Sequence, residues 1–130
     1  MQLQDTLIIP KIFIGLDIHK KSWSVSIQTD LFFHKTYSMP SVADDLYQYV
    51  ETAFPGHEVH LVYEAGCCGF HTARYYLNLG WNAMVVNAAD IKKGDKERYQ
   101  KTDSIDSRLL SNQLKRGELK GIFIPTEEHE

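Results

Sequence analysis

Four acidic residues are spaced so that they could act together on one substrate. Asp17 and Glu64 each end a predicted strand, and Asp103 and Asp106 lie three residues apart at the start of the last predicted helix. Because converging carboxylates repel one another, such a group usually holds a divalent cation with oxygen ligands. Two magnesium ions about 4 Å apart can activate an attacking oxygen and stabilise a leaving oxygen in phosphodiester chemistry. We therefore expect these four residues to be catalytic and to bind Mg²⁺ or Mn²⁺, as two ions.

A basic segment lies directly before the second acidic pair. Its candidate nucleic-acid-binding residues are Lys92, Lys93, Lys96, Arg98, Tyr99 and Lys101. The whole chain has a net charge of -3, but residues 91–120 carry nine Lys or Arg against five Asp or Glu, whereas residues 1–66 carry four against eight. Contact with phosphate depends on the local field more than on the total charge. The segment is therefore expected to bring a polyanion to the metal site.

Each acidic residue also has a structural interpretation. At about 100° per residue, Asp103 and Asp106 share a helix face with Leu110 and Leu114, and this face is expected to point inward. Acidic residues also occur at helix N-termini, where they interact favourably with the helix dipole. This interpretation explains Asp103 more readily than Asp106. A single strand-ending acid such as Asp17 could, in the same way, simply face water.

The elements that must position these residues follow from the hydrophobic spacing. Residues 11–17 predict a strand buried on both faces, and residues 22–28 alternate apolar and polar side chains as a half-buried strand does. The remaining predicted elements are strands over residues 31–37, 59–64 and 81–87, and helices that begin near residues 41, 70 and 102. Three antiparallel strands followed by βαβ crossovers predict an α/β fold with a mixed five-stranded sheet and helices on its faces. The strands that end at Asp17 and Glu64 should then be adjacent and parallel, with both carboxylates at one edge.

The composition and the cysteines exclude several classes of protein. With 43% hydrophobic and 24% charged residues among 130, the chain has the composition of an ordinary globular domain. No apolar run approaches the roughly 18 residues of a membrane-spanning helix, and the N-terminus lacks a signal-peptide pattern. Cys67 and Cys68 are neighbours that pair poorly, which favours a reducing, cytoplasmic location. Together with His71 they are interpreted as core residues at a helix start, not as a nucleophile and its base.

Five further residues have positions that suggest a functional or a structural role. His19 and Lys20 lie in the predicted hairpin, where they either contact phosphate or form a solvated turn. Ser41, with an acidic residue three positions later, predicts a capping box at the first helix. Trp23 is assigned to the core. Trp81, like Tyr99, is a candidate for stacking on a base.

The sequence resembles the N-terminal domain of the DEDD transposases of bacterial insertion sequences, the family that includes the Piv-type DNA invertases. The resemblance is carried by GLDIHKKSWSVSI, the YEAG at residues 63–66, NAADIKKGDKERYQ, and KTDSIDSRLLS at residues 101–111. It spans roughly residues 11–125. The last two motifs are the most specific, because KTDxxD after a basic loop is rare, whereas a strand that ends in Asp is common.

The resemblance implies a RuvC-like, RNase H-like fold in which the four acids of the family match Asp17, Glu64, Asp103 and Asp106 in order. It implies metal-dependent cleavage and transfer of DNA strands, with DNA and a structured guide RNA as partners. It further implies a homo-oligomer in the full-length protein and a bacterial, cytoplasmic, nucleoid-associated location.

The domain organisation expected from the resemblance is an N-terminal extension at residues 1–10, the RuvC-like DEDD catalytic domain at 11–125 and a tail at 126–130. In the family a further, C-terminal domain supplies a serine nucleophile. That domain would follow this region, so complete recombination by these 130 residues alone is not expected.

Two functions from other classes are alternatives. A sugar-kinase or actin-like ATPase shares the β-β-β-α-β-α core and also carries a glycine and an aspartate on its first hairpin, as Gly15 and Asp17 do here. It normally needs a second similar domain and a glycine-rich adenosine loop, which this sequence lacks. The other alternative is a non-catalytic nucleic-acid-binding or assembly fragment of a transposase, in which the acids hold a structural cation.

Overall fold

Five strands and three helices occupy the described residues, which are 8–66, 69–88 and 106–124 of a computed structural model. The strands are β1 (Lys11–Ile18), β2 (Ser22–Thr29), β3 (Phe33–Pro40), β4 (Glu58–Glu64) and β5 (Asn82–Val86). The helices are α1 (Ala43–Ala53), α2 (His71–Asn78) and α3 (Ser107–Lys115). Within these ranges, no helix has both the length and the apolar character needed to cross a membrane.

The five strands form one mixed sheet in the order β3-β2-β1-β4-β5. The first three strands pair antiparallel, while β4 pairs parallel with β1 on one side and with β5 on the other. The chain passes from β3 to β4 through α1 and from β4 to β5 through α2. This confirms the predicted α/β architecture and the adjacent, parallel strands of Asp17 and Glu64, and it is consistent with an RNase H-like fold.

The main hydrophobic core lies between the sheet and the helices α1 and α2. Ile12, Ile14 and Leu16 alternate along β1 and have no exposed surface. Leu46 and Val50, four residues apart on α1, are buried against the same face. This face of the sheet therefore follows the pattern that the sequence predicts, with apolar residues at every second strand position.

The opposite face of the sheet carries α3, which packs directly on the backbone of β1. Val62, Val86 and Leu110 form a smaller apolar cluster there. A Cβ atom on Gly15 would lie 2.2 Å from the carbonyl oxygen of Ser107, so only glycine permits this approach. The helix thus packs on the centre of the sheet through a residue that has no side chain.

The strand β2 is buried on both faces, which corrects the prediction of a half-buried strand. Ser26 has no exposed surface and Gln28 is 5% exposed. The Ser26 hydroxyl hydrogen-bonds with those of Thr36 and Ser107, at 2.7 and 2.8 Å. Alternation of polar and apolar residues predicts a solvent-exposed polar face unless the covering element offers polar partners. Here α3 brings its own hydroxyl groups, and the polar face is satisfied without water.

Some predicted boundaries differ from the structure. The third strand is Phe33–Pro40, later than the predicted 31–37. Ser41 does not cap α1, because Val42 is the N-cap residue and the Ser41 hydroxyl donates instead to the Lys20 carbonyl, at 3.1 Å. The last helix begins at Ser107 and not near residue 102, since Asp106 has an extended backbone (φ -86°, ψ 163°).

Candidate functional site

Asp17 and Glu64 lie side by side at one edge of the sheet. Leu16 of β1 is paired with Tyr63 of β4, and the two acidic residues follow this pair directly. Because the two strands are parallel, both carboxylates lie at carboxyl ends, where open α/β sheets bind ligands. The structure therefore brings these two predicted site residues together.

Both acidic residues also belong to the face of the sheet that carries α3. Side chains two residues apart on a strand point to the same face. Gly15 meets α3 directly, and Val62 packs with Leu110 of that helix. Asp17 and Glu64 each lie two residues further along the same strands, so they share the face of α3 at the carboxyl edge.

Asp17 is largely covered and has a defined neighbour. Its side chain is 18% exposed, and its Oδ1 atom lies 3.3 Å from Nε2 of His19, which is 57% exposed. The imidazole comes from the turn between β1 and β2, just beyond the end of the strand. His19 is thus placed to orient the Asp17 carboxylate, a contact that the sequence analysis did not predict.

Asp106 occupies the N-cap position of α3 and is exposed. Its carboxylate accepts a hydrogen bond from the backbone N–H of Leu109, at 2.8 Å. The prediction that Asp106 shares a helix face with the buried leucine at position 110 is therefore wrong. The interpretation as an acid at a helix N-terminus describes its position, because the extended backbone at 106 places it before the first helical residue.

The direction of α3 places its N-terminus at the edge that carries Asp17. The Ser107 hydroxyl lies 3.0 Å from that of Ser24, which is the cross-strand partner of Asp17. One helical turn later, the Ser111 hydroxyl donates to the carbonyl of Phe13, at 2.8 Å, near the other end of β1. The helix thus runs antiparallel to β1, and the positive end of its dipole lies on the side of the carboxylates.

These contacts define what the site can do chemically. Two carboxylates at adjacent strand ends and a third at a helix N-terminus offer the oxygen donors that Mg²⁺ and Mn²⁺ prefer. In residues 8–66, 69–88 and 106–124, no three His, Cys, Asp or Glu side chains are grouped closely enough to hold a metal ion. Asp103 lies outside the described residues, as do the basic candidates Lys92, Lys93, Lys96, Arg98, Tyr99 and Lys101.

The two tryptophans belong to the core. Trp23 is 4% exposed, as predicted. Trp81 is 5% exposed and stacks on Tyr76, with 4.6 Å between ring centroids, so the prediction that it stacks on a base is wrong. Gly80 has a positive φ of 97° and turns the chain after α2. This turn directs the indole under the helix, in contact with Tyr47 as well.

A cleft that the sequence did not reveal lies near the same edge, on the other face of the sheet. Its polar residues are His19, Lys20, Ser41, His71 and Thr72. They come from the turn after β1, the end of β3 and the start of α2, so no local spacing could have identified them as a group.

Comparison with known proteins gives one relevant similarity. No protein-family model matches the chain. Over 74 residues, the chain is 35% identical to a protein of Sinorhizobium fredii named "Putative transposase y4qE". The match includes 55% of this chain and 18% of that protein, so the chain spans less than a fifth of the relative's length. Over about half of its residues, therefore, this chain is similar to a protein named as a transposase.

Proposed function

We propose that this chain is the N-terminal, RuvC-like DEDD domain of an insertion-sequence transposase, and that it acts in metal-dependent cleavage and transfer of DNA strands. The observation that carries the proposal is the placement of Asp17 and Glu64 at adjacent parallel strand ends, on the face where α3 begins. The similarity to a protein named as a transposase supports the same function. DNA is the proposed substrate, with a structured guide RNA and a second copy of the full-length protein as further partners.

The proposed metal ligands are Asp17, Glu64, Asp103 and Asp106. Bound Mg²⁺ or Mn²⁺ would activate the attacking oxygen and stabilise the leaving oxygen of a phosphodiester. The other contributions come from the protein itself. His19 orients the Asp17 carboxylate, and the N-terminus of α3 favours an anionic group at this edge through its dipole and its backbone N–H groups.

A non-catalytic nucleic-acid-binding or assembly module is the second candidate function. The observation in its favour is that the Asp106 carboxylate already has a structural role, because it caps α3 through the N–H of Leu109. In such a module the acidic residues would hold a structural cation and would take no part in strand cleavage.

Calorimetric titration of the chain with Mg²⁺ and Mn²⁺ tests the metal site that the catalytic proposal requires. We expect Asp17→Asn and Glu64→Gln to weaken binding by at least about tenfold, since even residues that only support metal ligands contribute 10- to 100-fold. The matched controls are Asp45→Asn and Glu51→Gln, which change exposed residues of α1 on the opposite face of the sheet. Metal binding that is equal in the wild type and Asp17→Asn would contradict the catalytic proposal.

A further inference from the structure

The cleft beside the β1–β2 turn has the composition of an anion-binding site. Of its polar side chains, Lys20 and His71 are exposed and offer N–H donors, and Ser41 and Thr72 also line the cleft. None of the described residues that line the cleft is acidic. A phosphate oxygen accepts hydrogen bonds from the N–H groups of lysine and histidine.

The size of the cleft indicates that it takes one group of a larger molecule. Its volume is about 200 Å³, whereas pockets for drug-sized ligands measure roughly 300–1,000 Å³. Its apolar lining residues are Ile18 and Trp23, and Trp23 is 4% exposed and therefore not available for stacking on a base. A phosphate with part of its sugar fits this mixed apolar and polar lining better than a complete nucleotide does.

The position of the cleft connects it to the candidate active site. His19 lines the cleft and also lies 3.3 Å from the Asp17 carboxylate. A second cleft, of about 260 Å³, shares His71 and Thr72 with the first and extends along α2 to Arg74. The two clefts are therefore neighbours, with the basic residue Lys20 in the lining of one and Arg74 in the lining of the other, which suits a polyanion better than an isolated anion.

We propose that this cleft binds a backbone phosphate of the DNA strand whose neighbouring phosphodiester lies at Asp17 and Glu64. Lys20 and His71 contact the phosphate, and the hydrogen bond from Ser41 to the Lys20 carbonyl fixes the turn that presents the lysine. The proposal rests on the proposed function, because it takes DNA as the substrate. It assigns to Lys20 and His71 the role of positioning the DNA strand. Both residues line the cleft on the face of the sheet opposite α3.

Fluorescence anisotropy with a labelled single-stranded DNA oligonucleotide, over a series of salt concentrations, tests this assignment. We expect Lys20→Gln to bind about fivefold more weakly, the upper end for one exposed ion pair. The slope of log K against log salt should become shallower by about 0.7, the value for one phosphate of a single strand. His71→Gln should also weaken binding. Lys21→Gln is the matched control, because Lys21 is the next residue and exposed but does not line the cleft.

Each outcome of this experiment supports or overturns the proposal. Weaker binding by Lys20→Gln and His71→Gln, with wild-type binding by Lys21→Gln and unchanged melting temperatures, supports it. Equal affinities of Lys20→Gln and Lys21→Gln overturn the cleft assignment and leave the proposed function intact. Weaker binding of an RNA oligonucleotide, with unchanged binding of DNA, overturns it in favour of an RNA partner. A wild-type chain that binds no DNA at low salt overturns both this proposal and the proposed function.

Discussion

The side chain of Asp106 has a structural contact that can be separated from its proposed metal role. Its carboxylate caps α3 through the N–H of Leu109. Asparagine caps helices about as well as aspartate, but it is a much weaker ligand for Mg²⁺. We expect Asp106→Ala to lower the free energy of unfolding by about 1 kcal/mol, as loss of an N-cap usually does, and Asp106→Asn to leave it nearly unchanged. Chemical denaturation without metal measures both values.

Addition of magnesium to the same variants tests the metal role of Asp106. A ligand that binds only the folded state raises its stability by RT ln(1 + [L]/Kd). Millimolar Mg²⁺ should therefore raise the melting temperature of the wild type and have little effect on Asp106→Asn. An identical response of both proteins would contradict a metal role for this residue. An equal loss of stability in Asp106→Asn and Asp106→Ala would contradict the capping role.

The position of α3 on the sheet depends on small and polar residues instead of a wide apolar stripe. Gly15 allows the close approach, and the Ser107 hydroxyl in the first turn of the helix hydrogen-bonds with those of Ser24 and Ser26. Further along, the Gln28 amide donates to the side-chain carbonyl of Asn112. These hydrogen bonds are directional, so they fix the rotation and register of the helix. The N-terminus that carries Asp106 is thereby held over the edge of the sheet.

Gly15→Ala should displace α3. The new Cβ atom would lie 2.2 Å from the Ser107 carbonyl oxygen and 2.6 Å from the Ser111 nitrogen, and both are backbone atoms that move only with the helix. Overpacking costs roughly 1–3 kcal/mol, and we expect the upper part of this range or more. Denaturant unfolding measures the loss, and the stabilisation by Mg²⁺ should decrease with it.

The control for Gly15→Ala is Gly121→Ala. At position 121 a Cβ atom would come within 2.8 Å of a Met84 side-chain atom, and methionine can change its rotamer to make room. We expect a much smaller loss of stability for this variant. If the two substitutions cost the same, the packing of α3 on β1 is looser than the structure indicates.

At the scale of the whole molecule, the sequence predicts the sheet better than it predicts the helix termini. The alternation along β1 and the two crossover helices were sufficient to place Asp17 beside Glu64, because strand pairing follows from chain direction and burial. Periodicity predicts water on the polar face of β2 because it reports only polarity, whereas burial depends on what the covering element presents. The spacing of Asp103 and Asp106 predicts a helical position for Asp106, but a three-residue spacing of acids is equally compatible with an N-cap position.

Residues joined only by the tertiary fold were beyond prediction. His19 contacts Asp17 across the end of a strand, and it lines a cleft together with His71, which lies 52 positions further along the chain. Neither contact produces a periodic pattern in the sequence. The cleft and the orientation of the Asp17 carboxylate could therefore be identified only from the structure.

Two tyrosines, Tyr76 in the main core and Tyr37 packed against it, make the stability of the whole molecule sensitive to alkaline pH. Burial, with a smaller effect of Tyr49, raises the pKa of Tyr37 from 10.0 to about 12. Burial also raises the pKa of Tyr76 strongly, with a smaller effect of Tyr75. Above pH 10 these residues lose protons in the unfolded chain before they do so in the folded one. Their contribution to stability is therefore complete below pH 10 and is lost as the pH rises towards 12 and beyond.

Tyr76→Phe tests this linkage. The Tyr76 hydroxyl donates to the Ala43 carbonyl at 2.7 Å, so its removal should cost about 1 kcal/mol at neutral pH. Above pH 10, a proton retained only by the folded state costs wild-type stability about 1.4 kcal/mol per pH unit, and the variant lacks this loss. The unfolding free energies of wild type and variant, measured by denaturant titration from pH 8 to 12, should converge above pH 10 and cross within about one further pH unit. Parallel curves over that range would show that the hydroxyl titrates alike in both states, and that the interior beneath α1 and α2 admits water at high pH.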